Sequence, residues 1–551
     1  MQKRNIYILV IVGALVWTAL HIPGITYGTS DTPLHVSYMS ADEQSPINGA
    51  LHMLESKSLL GLRNVHTLYY GPIFAMIGLP AIGADFIIHR MSGAVSGALG
   101  YKEFVVWNWG GILLCARIIS VLFAYLGLMA IFLLFRTRKF NPSQNAWIPF
   151  VAVILLGFNY LFFEYSHFFR HWIFIVAILF WQIYALVRIV EQTERRRAYW
   201  IIHVVLTVIS FGISYLGIIY QIIWLPVLIQ WLREKKWMQL KEWIGSTILV
   251  LVGCLLIVAW HPYGFSRLLG MVGLITPPVL SQGSVLDLTS VSSGSNSFVF
   301  YAEIILRNNV WLCIAGLLLL IVGIRMCKIH TRYWTWSILL AAVANYIVFS
   351  IPFHHESRYM LPSVVLIVIA TLGLFSVMYS ELGNRRAVIR ISGILICISL
   401  LWSLVQFVGW QRMIASGPAE RRELVPQVMA WQAQNPAAKI LIVKNWPIGY
   451  VHTHEAYADY IKRYEKESTN LWQYILALKA PAGLVPLNAY YKHSIEPLTE
   501  QDRRMYDHVV ITHDPKTDAD VIDISPQDQF DLHPWTVWDY ARYQETYEII
   551  K

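Results

Sequence analysis

Charged residues are scarce in this sequence, and their scarcity excludes most soluble folds. Asp, Glu, Lys and Arg make up 14% of the 551 residues, whereas 56% are hydrophobic and the mean hydropathy is +0.49. These values indicate a polytopic α-helical membrane protein. The net charge of +9 does not predict a nucleic-acid partner, because the basic residues cluster in short runs between apolar segments, as membrane topology requires.

Cysteine and nucleotide-binding motifs are also lacking. The five cysteines all lie in or beside apolar segments, so the C-terminal tail has neither a disulfide framework nor a zinc ribbon. The sequence has no P-loop, no dinucleotide-binding glycine motif and no Gly-x-Ser-x-Gly, and we expect no cofactor. It also has no Asn-x-Ser/Thr glycosylation site, which favours a bacterial or archaeal cell membrane.

Apolar stretches long enough to cross a membrane are what the sequence has in abundance. Nine are clear: 6–23, 109–135, 145–163, 171–190, 244–260, 305–325, 333–351, 358–380 and 388–409. A helix over 199–232 would reach about 50 Å at about 1.5 Å per residue, too long for one crossing of a core of about 30 Å. Because Gly212 and Gly217 offer a break, we predict two spans there and eleven in total.

The basic runs predict the orientation of these spans. The runs lie at 136–139, 195–197, 233–236, 325–328 and 385–386. All five face the cytoplasm only if 199–232 crosses twice and the stretch 68–88, which Pro and Gly interrupt, does not cross. We therefore place 68–88 at the outer interface, as an interfacial or re-entrant element, with the N-terminus inside and the C-terminus outside.

The domain organisation follows from this topology. Residues 1–409 form a transmembrane module whose first outer loop is 24–108. Residues 410–551 read as a small soluble α/β domain outside the cytoplasm. Its signals are a helical pattern over 420–434 and strand-like segments at 439–444 and 507–512.

An acidic pair, Asp42 and Glu43, lies in the first outer loop. Such a pair at the mouth of a membrane bundle is suited to general base catalysis. A structural interpretation also fits, because Ser40 with Glu43 three residues on forms a capping box and Asp42 suits the first turn of a helix over 41–55. If Glu43 closes the capping box, Asp42 is left to face the substrate.

Two further outer turns are rich in polar groups. The first holds Glu164, His167, Arg170 and His171, and it either anchors the chain at the headgroups or supplies an acid and a phosphate-binding cation. The second runs from His354 to Tyr359. Its Arg358 binds either a phosphate or a carboxylate such as that of Glu356. The spacing of His354, His355 and Glu356 matches no metal-site pattern, so we expect no metal.

Four short motifs together resemble the GT-C superfamily of polyprenyl-phosphate-sugar-dependent glycosyltransferases, which includes protein O-mannosyltransferases and the aminoarabinose transferase of lipid A. They are Ala41-Asp-Glu43, Leu68-Tyr-Tyr-Gly-Pro72, Ser166-x-x-x-Arg170 and Ser357-Arg-Tyr-Met-Leu-Pro362. Each is weak alone, and their order and common outer location carry the resemblance, which covers about residues 1–409 in layout.

The resemblance implies an inverting transfer of a sugar from a polyprenyl-phosphate donor to an extracytoplasmic protein, lipid or glycan. Asp42 matches the general base, and Glu43 would assist it or cap the helix. Arg358 and Arg170 match positions that hold the donor phosphate, and we group His354, His355 and Tyr359 with them. Family members often carry an acid just after the second-turn Arg, where this chain has His171. Either Glu164 takes that role or the role is absent.

Two other classes of function compete with the transferase. A transporter or flippase of lipid-linked substrates predicts ionisable residues near mid-span and paired broken helices. A non-catalytic scaffold for cell-envelope assembly predicts that Asp42 tolerates substitution. We rank the transferase first, because the acidic candidates lie outside the predicted spans and only 212–217 breaks a segment.

Overall fold

A computed structural model describes most of the apolar part of the chain. The described residues are 3–26, 41–55, 71–98, 109–191, 195–260, 297–326, 333–351, 357–382, 387–416, four short strands and the single positions 57, 100, 101 and 104. The chain divides into two compact units. Unit 1 comprises residues 1–67, 75–119 and 408–551, and unit 2 comprises residues 68–74 and 120–407.

The described part is mostly helical. Its long elements are α1 (Lys3–Thr26), α2 (Ala41–Glu55), α3 (Pro72–Met91), α4 (Trp109–Leu134), α5 (Trp147–Gly157), α6 (Tyr160–Ser166), α7 (His171–Val190), α8 (Arg196–Ile213), α9 (Leu225–Arg233), α10 (Trp237–Trp260), α11 (Ser297–Met326), α12 (Tyr333–Ser350), α13 (Leu361–Leu382) and α14 (Ala387–Ser416). Two 3₁₀ helices, Tyr215–Trp224 and Ser357–Met360, precede α9 and α13.

The predicted spans correspond closely to these helices. Among the described residues, ten helical segments are long and apolar enough to cross a membrane, or eleven if the bent pair α5–α6 counts as one. Nine of the ten coincide with predicted spans, the bent pair covers 145–163, and the first predicted span is α1. The tenth segment is α3, whose placement at the outer interface rests on the charge argument and stays a prediction. The chain is an integral membrane protein.

The stretch 199–232 breaks where its glycines predict. α8 ends at Ile213, and a 3₁₀ helix starts two residues later. Gly71 of the first loop lies at this break, because its N–H donates to the Ile213 carbonyl over 2.8 Å. A Cβ added at Gly71 would lie 2.2 Å from the carbonyl oxygen of Gly212, so only glycine allows this approach.

Two asparagines account for bends that the sequence analysis did not predict. The predicted span 145–163 is two helices that meet at 67°. At the bend Asn159 is extended, and its side-chain oxygen accepts from the N–H of Phe162 as an N-cap of α6. The Asn159 amide also donates to Asn309 over 3.2 Å, at the non-helical residue that kinks α11. Asn309 in turn donates to the Val364 carbonyl over 3.2 Å.

The C-terminal part contributes a four-stranded sheet to unit 1. Its strands are β1 (Ile440–Lys444), β2 (Ala489–His493), β3 (His508–His513) and β4 (Thr546–Ile550), in the order β2-β1-β3-β4. β1 pairs in parallel with β2 and β3, and β4 is antiparallel to β3. Both strand-like segments of the sequence are strands. The predicted helix 420–434 lies outside the described residues, and the α/β domain stays a prediction.

The docking of Gly71 against Gly212 predicts a specific sensitivity. In Gly71→Ala the new methyl group meets a backbone oxygen, which cannot rotate away, so we expect a loss of about 1–3 kcal/mol in the free energy of unfolding. Gly83→Ala is the matched control, because nothing lies within 4 Å of a Cβ built there. Thermal unfolding of both variants in detergent measures the difference. Equal midpoints for Gly71→Ala and the wild type would contradict the contact.

Candidate functional site

A fully buried ion pair fixes the first turn of α2 in unit 1. The Arg117 Nε donates to Glu43 Oε1 over 3.1 Å, and its Nη2 donates to Glu43 Oε2 over 3.0 Å. Both side chains are 0% exposed. A third donation, from Arg117 Nη1 to the Ile25 carbonyl over 3.1 Å, reaches the last turn of α1.

These contacts satisfy groups that would otherwise be costly to bury. Arg117 lies in the apolar helix α4, where a cation needs an internal partner. The Ile25 carbonyl is one of the last in α1 and has no acceptor role inside its own helix. Both oxygens of the Glu43 carboxylate thus bind Arg117. We predicted that Glu43 would cap α2 or assist catalysis; Ser40, its expected capping partner, lies outside the described residues.

Asp42 precedes Glu43 on the same helix. The backbone of Asp42 is described as the second residue of α2, and its side chain lies outside the described part. The predicted helix over 41–55 is therefore present, with the bounds that the sequence indicates. The role of Asp42 as general base stays a prediction.

The sequence analysis missed a second buried acid in unit 1. Asp85 on α3 is 1% exposed, accepts from the Tyr101 hydroxyl over 2.7 Å and lies 3.3 Å from His89 Nε2. A Cβ added at Gly111 would overlap its carboxylate. The signal for Asp85, as for Arg117, is an ionisable residue inside an apolar stretch, which indicates an internal partner.

In unit 2 the second outer turn is buried and internally paired. Glu164, on the short helix α6, is 5% exposed. The charge of Arg170 acts on it, and Tyr160 hydrogen-bonds it. Arg170 is the N-cap residue of α7 and lies over the Phe168 ring. The acid and the cation of this turn therefore act on each other. Neither is an isolated charge that faces solvent.

The fourth motif forms a 3₁₀ turn at the start of α13. Arg358 is buried, and its guanidinium carbon lies 5.5 Å from the centre of the Tyr359 ring. The Tyr359 ring stacks on Phe349 with 5.0 Å between centroids, and it meets the edge of Trp172 at 5.3 Å. His354, His355 and Glu356 lie outside the described residues.

Residues in or directly beside three of the motifs, which are far apart in sequence, meet in unit 2. Phe74, just after the Tyr-Tyr-Gly-Pro segment, stacks on Phe169 at 5.1 Å and contacts His171 at 6.2 Å. Trp172, the next residue of the second turn, packs on Tyr359 of the fourth motif. An unbroken series of ring contacts therefore joins the segment after residue 72, the second outer turn and the Arg358 turn.

The described residues contain no group of three or more His, Cys, Asp or Glu side chains that could hold a metal ion. His354 and His355 are not among those residues. The side chains that the structure does bring together are an arginine, a tyrosine and buried aromatic rings, which suit an anionic ligand with apolar surroundings.

Comparison with known proteins gives structural matches only. No protein-family model matches the sequence, and no curated protein sequence does. ArnT from Cupriavidus metallidurans is similar in its apo state, with 11% identity, a TM-score of 0.48 and 93% of each chain covered. A second ArnT structure, bound to undecaprenyl phosphate, matches equally well, with a TM-score of 0.48.

Two further matches are to larger proteins. The archaeal oligosaccharyltransferase AglB from Archaeoglobus fulgidus, in complex with an inhibitory peptide and a dolichol-phosphate, has 11% identity and a TM-score of 0.43, with 92% of this chain and 69% of AglB covered. The arabinofuranosyltransferase AftD from Mycobacteria has 12% identity and a TM-score of 0.41, with 92% and 35% covered. At this level of similarity the matches do not assign a function to this chain.

The Glu43–Arg117 pair predicts an asymmetric mutational response. Removing one partner leaves a buried charge uncompensated, so Arg117→Met alone should cost about 3–5 kcal/mol. The double variant Glu43→Leu/Arg117→Met removes both charges and should recover much of that loss. Thermal unfolding of Arg117→Met, of Glu43→Leu and of the double variant completes the cycle. Additive losses would show that the pair does not interact.

Proposed function

We propose that this protein is a membrane glycosyltransferase. It moves a sugar from a polyprenyl-phosphate donor to an extracytoplasmic protein, lipid or glycan, with inversion at the anomeric carbon. The observation that carries the proposal is the series of ring contacts in unit 2 that joins residues in or directly beside three of the four family-like motifs, through Phe74, Trp172 and Tyr359.

Arg358 is the residue that we assign to the donor phosphate. A guanidinium donates two parallel hydrogen bonds to phosphate oxygens, and the low-dielectric surroundings of a buried site strengthen such bonds. The aromatic rings of Tyr359, Phe349 and Trp172 hold the turn in place. His354 and His355 are candidate additional donors. Arg170 contributes less in this proposal, because its charge already acts on Glu164.

Asp42 is the residue that we assign as general base. Residues one apart on a helix do not share a face, so the burial of Glu43 against Arg117 imposes no such contact on Asp42. Glu43 is then a positioning residue, because it locks the first turn of α2 to α1 and α4 through Arg117. Glu164 remains an alternative acid.

The proposed step is a single displacement. The acceptor nucleophile attacks the anomeric carbon from the face opposite the phosphate, and its proton passes to the Asp42 carboxylate. The bond between the anomeric carbon and the phosphate oxygen breaks, and the electron pair leaves with the polyprenyl phosphate. Arg358 stabilises the charge that develops there. One displacement inverts the configuration.

The proposed donor class, a lipid-linked phosphate, rests on the motifs of this chain and on Arg358. It is the same class of compound as the undecaprenyl phosphate bound to ArnT and the dolichol-phosphate bound to AglB. The C-terminal domain is proposed to lie outside the cytoplasm and to help bind the acceptor.

Transfer of radiolabelled sugar from a panel of polyprenyl-phosphate sugars tests the proposal. The wild type and Asp42→Asn are compared in nanodiscs. We expect the wild type to transfer sugar or slowly hydrolyse one donor, and Asp42→Asn to lose about 10²–10⁴-fold in rate, because a positioned general base contributes that much. The unfolding midpoint of Asp42→Asn should equal that of the wild type.

Two other results would redirect the proposal. Full activity in Asp42→Asn would exclude Asp42 as the base, and Glu164→Gln would then be measured in the same assay. A wild type that is silent with every donor and acceptor tested would favour the transporter or the scaffold. Export of labelled lipid-linked sugar from proteoliposomes separates those two classes.

Arg358 predicts a graded loss of donor affinity. Arg358→Gln removes a charge-assisted hydrogen bond worth about 1.5–3 kcal/mol, so the Kd for a polyprenyl phosphate should rise about 10- to 150-fold. Arg358→Lys keeps the charge without the bidentate geometry, so its Kd should lie between those of the wild type and Arg358→Gln. Arg188→Gln is the control. Arg188 also lies 5.5 Å from a tyrosine ring, but it is in the last turn of α7, whereas Trp172, which contacts Tyr359, is in the first turn. Equal losses at both positions would contradict a specific role for Arg358.

A further inference from the structure

A buried asparagine, Asn345, donates a hydrogen bond to the backbone of the turn that carries Arg358. Asn345 lies in the middle of the apolar helix α12 and is 0% exposed. Its Nδ2 donates to the backbone carbonyl of Tyr359 over 2.9 Å and to the Ser363 hydroxyl over 2.9 Å. Its Oδ1 accepts from the Tyr220 hydroxyl over 2.7 Å. Both donors of the amide group and one acceptor site are thus used.

These bonds join four separate elements of unit 2. They link α12 to the 3₁₀ helix 215–224, to the 3₁₀ turn 357–360 and to the first turn of α13. The Ser363 hydroxyl donates in turn to the Ala342 carbonyl over 2.9 Å, which is a second bond between α13 and α12. The turn that bears Arg358 is therefore bonded at its own backbone and again one helical turn later.

The chemistry of an asparagine at this position is specific. The Tyr359 carbonyl lies at the junction of the 3₁₀ turn and α13, where backbone bonding changes from one helix type to the other. A side-chain donor there fixes the junction, and a buried carbonyl left without it would be costly. A hydrophobic side chain in α12 would pack equally well but would leave the turn free to rotate.

We propose that Asn345 is a positioning residue that aims Arg358 at the anionic oxygens of the lipid-linked donor, with Tyr220 fixing the orientation of its amide. This inference rests on the proposed function for the identity of the ligand. A guanidinium binds phosphate bidentately only when its direction is held, and a displacement of about 1 Å at a catalytic site can cost about 10²-fold in rate. Asn345 touches no substrate in this proposal.

Asn345→Asp is the direct test. It has the same shape, keeps the acceptor for Tyr220 and replaces both donated bonds with a carboxylate facing the Tyr359 carbonyl. Tyr220→Phe is the milder variant, because it removes one hydroxyl and leaves both donations possible. Asn308→Asp is the matched control: Asn308 is also buried, and its one amide donation among the described residues is to Ile304 in its own helix, over 2.9 Å.

Hydrogen–deuterium exchange of the peptide covering 357–363 provides a readout that needs no substrate. We expect faster exchange there in Asn345→Asp, a smaller change in Tyr220→Phe and none in Asn308→Asp. Binding of a polyprenyl phosphate in nanodiscs should weaken in the same order, by about tenfold or more for Asn345→Asp. The KM for the donor should rise with it.

The outcomes separate the inference from the proposed function. Unchanged exchange at 357–363 in Asn345→Asp, or equal effects in Asn308→Asp, would overturn the positioning role whatever the ligand. Faster exchange with unchanged affinity for the polyprenyl phosphate would overturn the link between the turn and the donor. A wild type that neither binds a polyprenyl phosphate nor transfers sugar would overturn the proposed function, and with it the stated ligand of this turn.

Discussion

A polar group buried among apolar helices must find its partner inside the protein, and this constraint shapes the candidate residues whose side chains the structure describes. Arg117 in α4 binds both oxygens of Glu43 and the last turn of α1. Because neither charge is exposed, the first turn of α2 cannot move without separating them. The acidic pair of the first loop is therefore divided: Glu43 holds the helix, and Asp42 is left as the residue with a proposed chemical role.

Asparagine serves the same purpose in unit 2. Asn159 caps α6 and bonds the kink of α11, and Asn345 bonds the turn before α13. In both cases an amide supplies donors and an acceptor to backbone or side-chain groups at a helix break, where regular bonding stops. Breaks that are bonded in this way keep a fixed shape, which an active site in a membrane protein needs if it is to aim charged groups.

Much of the fold could be predicted from hydropathy and charge. The long apolar stretches, the break near Gly212 and the strands near 440 and 508 correspond to observed elements, because each depends on local sequence. The 67° bend at Asn159 and the kink at Asn309 were not predicted. Their cause is a bond between residues 150 positions apart, which local patterns do not reveal.

The candidate site was predictable in its residue types but not in its pairings. Arg358 was singled out because a cation on the predicted outer side needs a local reason, and Arg170 because it is the cation of the second polar turn. A capping box with Ser40, which lies outside the described residues, was one interpretation of Glu43. Its buried partner Arg117 lies 74 residues away and could not be read from the local sequence. The role of Asn345 could not be read from α12 alone, since only the folded chain places it beside the Tyr359 carbonyl.

Photo-crosslinking with a diazirine-labelled polyprenyl phosphate tests the central claim most directly. The wild type in nanodiscs would be irradiated, digested and mapped by mass spectrometry. The account predicts crosslinks concentrated in peptides that contain Trp172 or Arg358, reduced by unlabelled polyprenyl phosphate and by Arg358→Gln. Crosslinks spread evenly over exposed apolar helices such as α10, with no competition, would contradict a lipid-phosphate site at this turn.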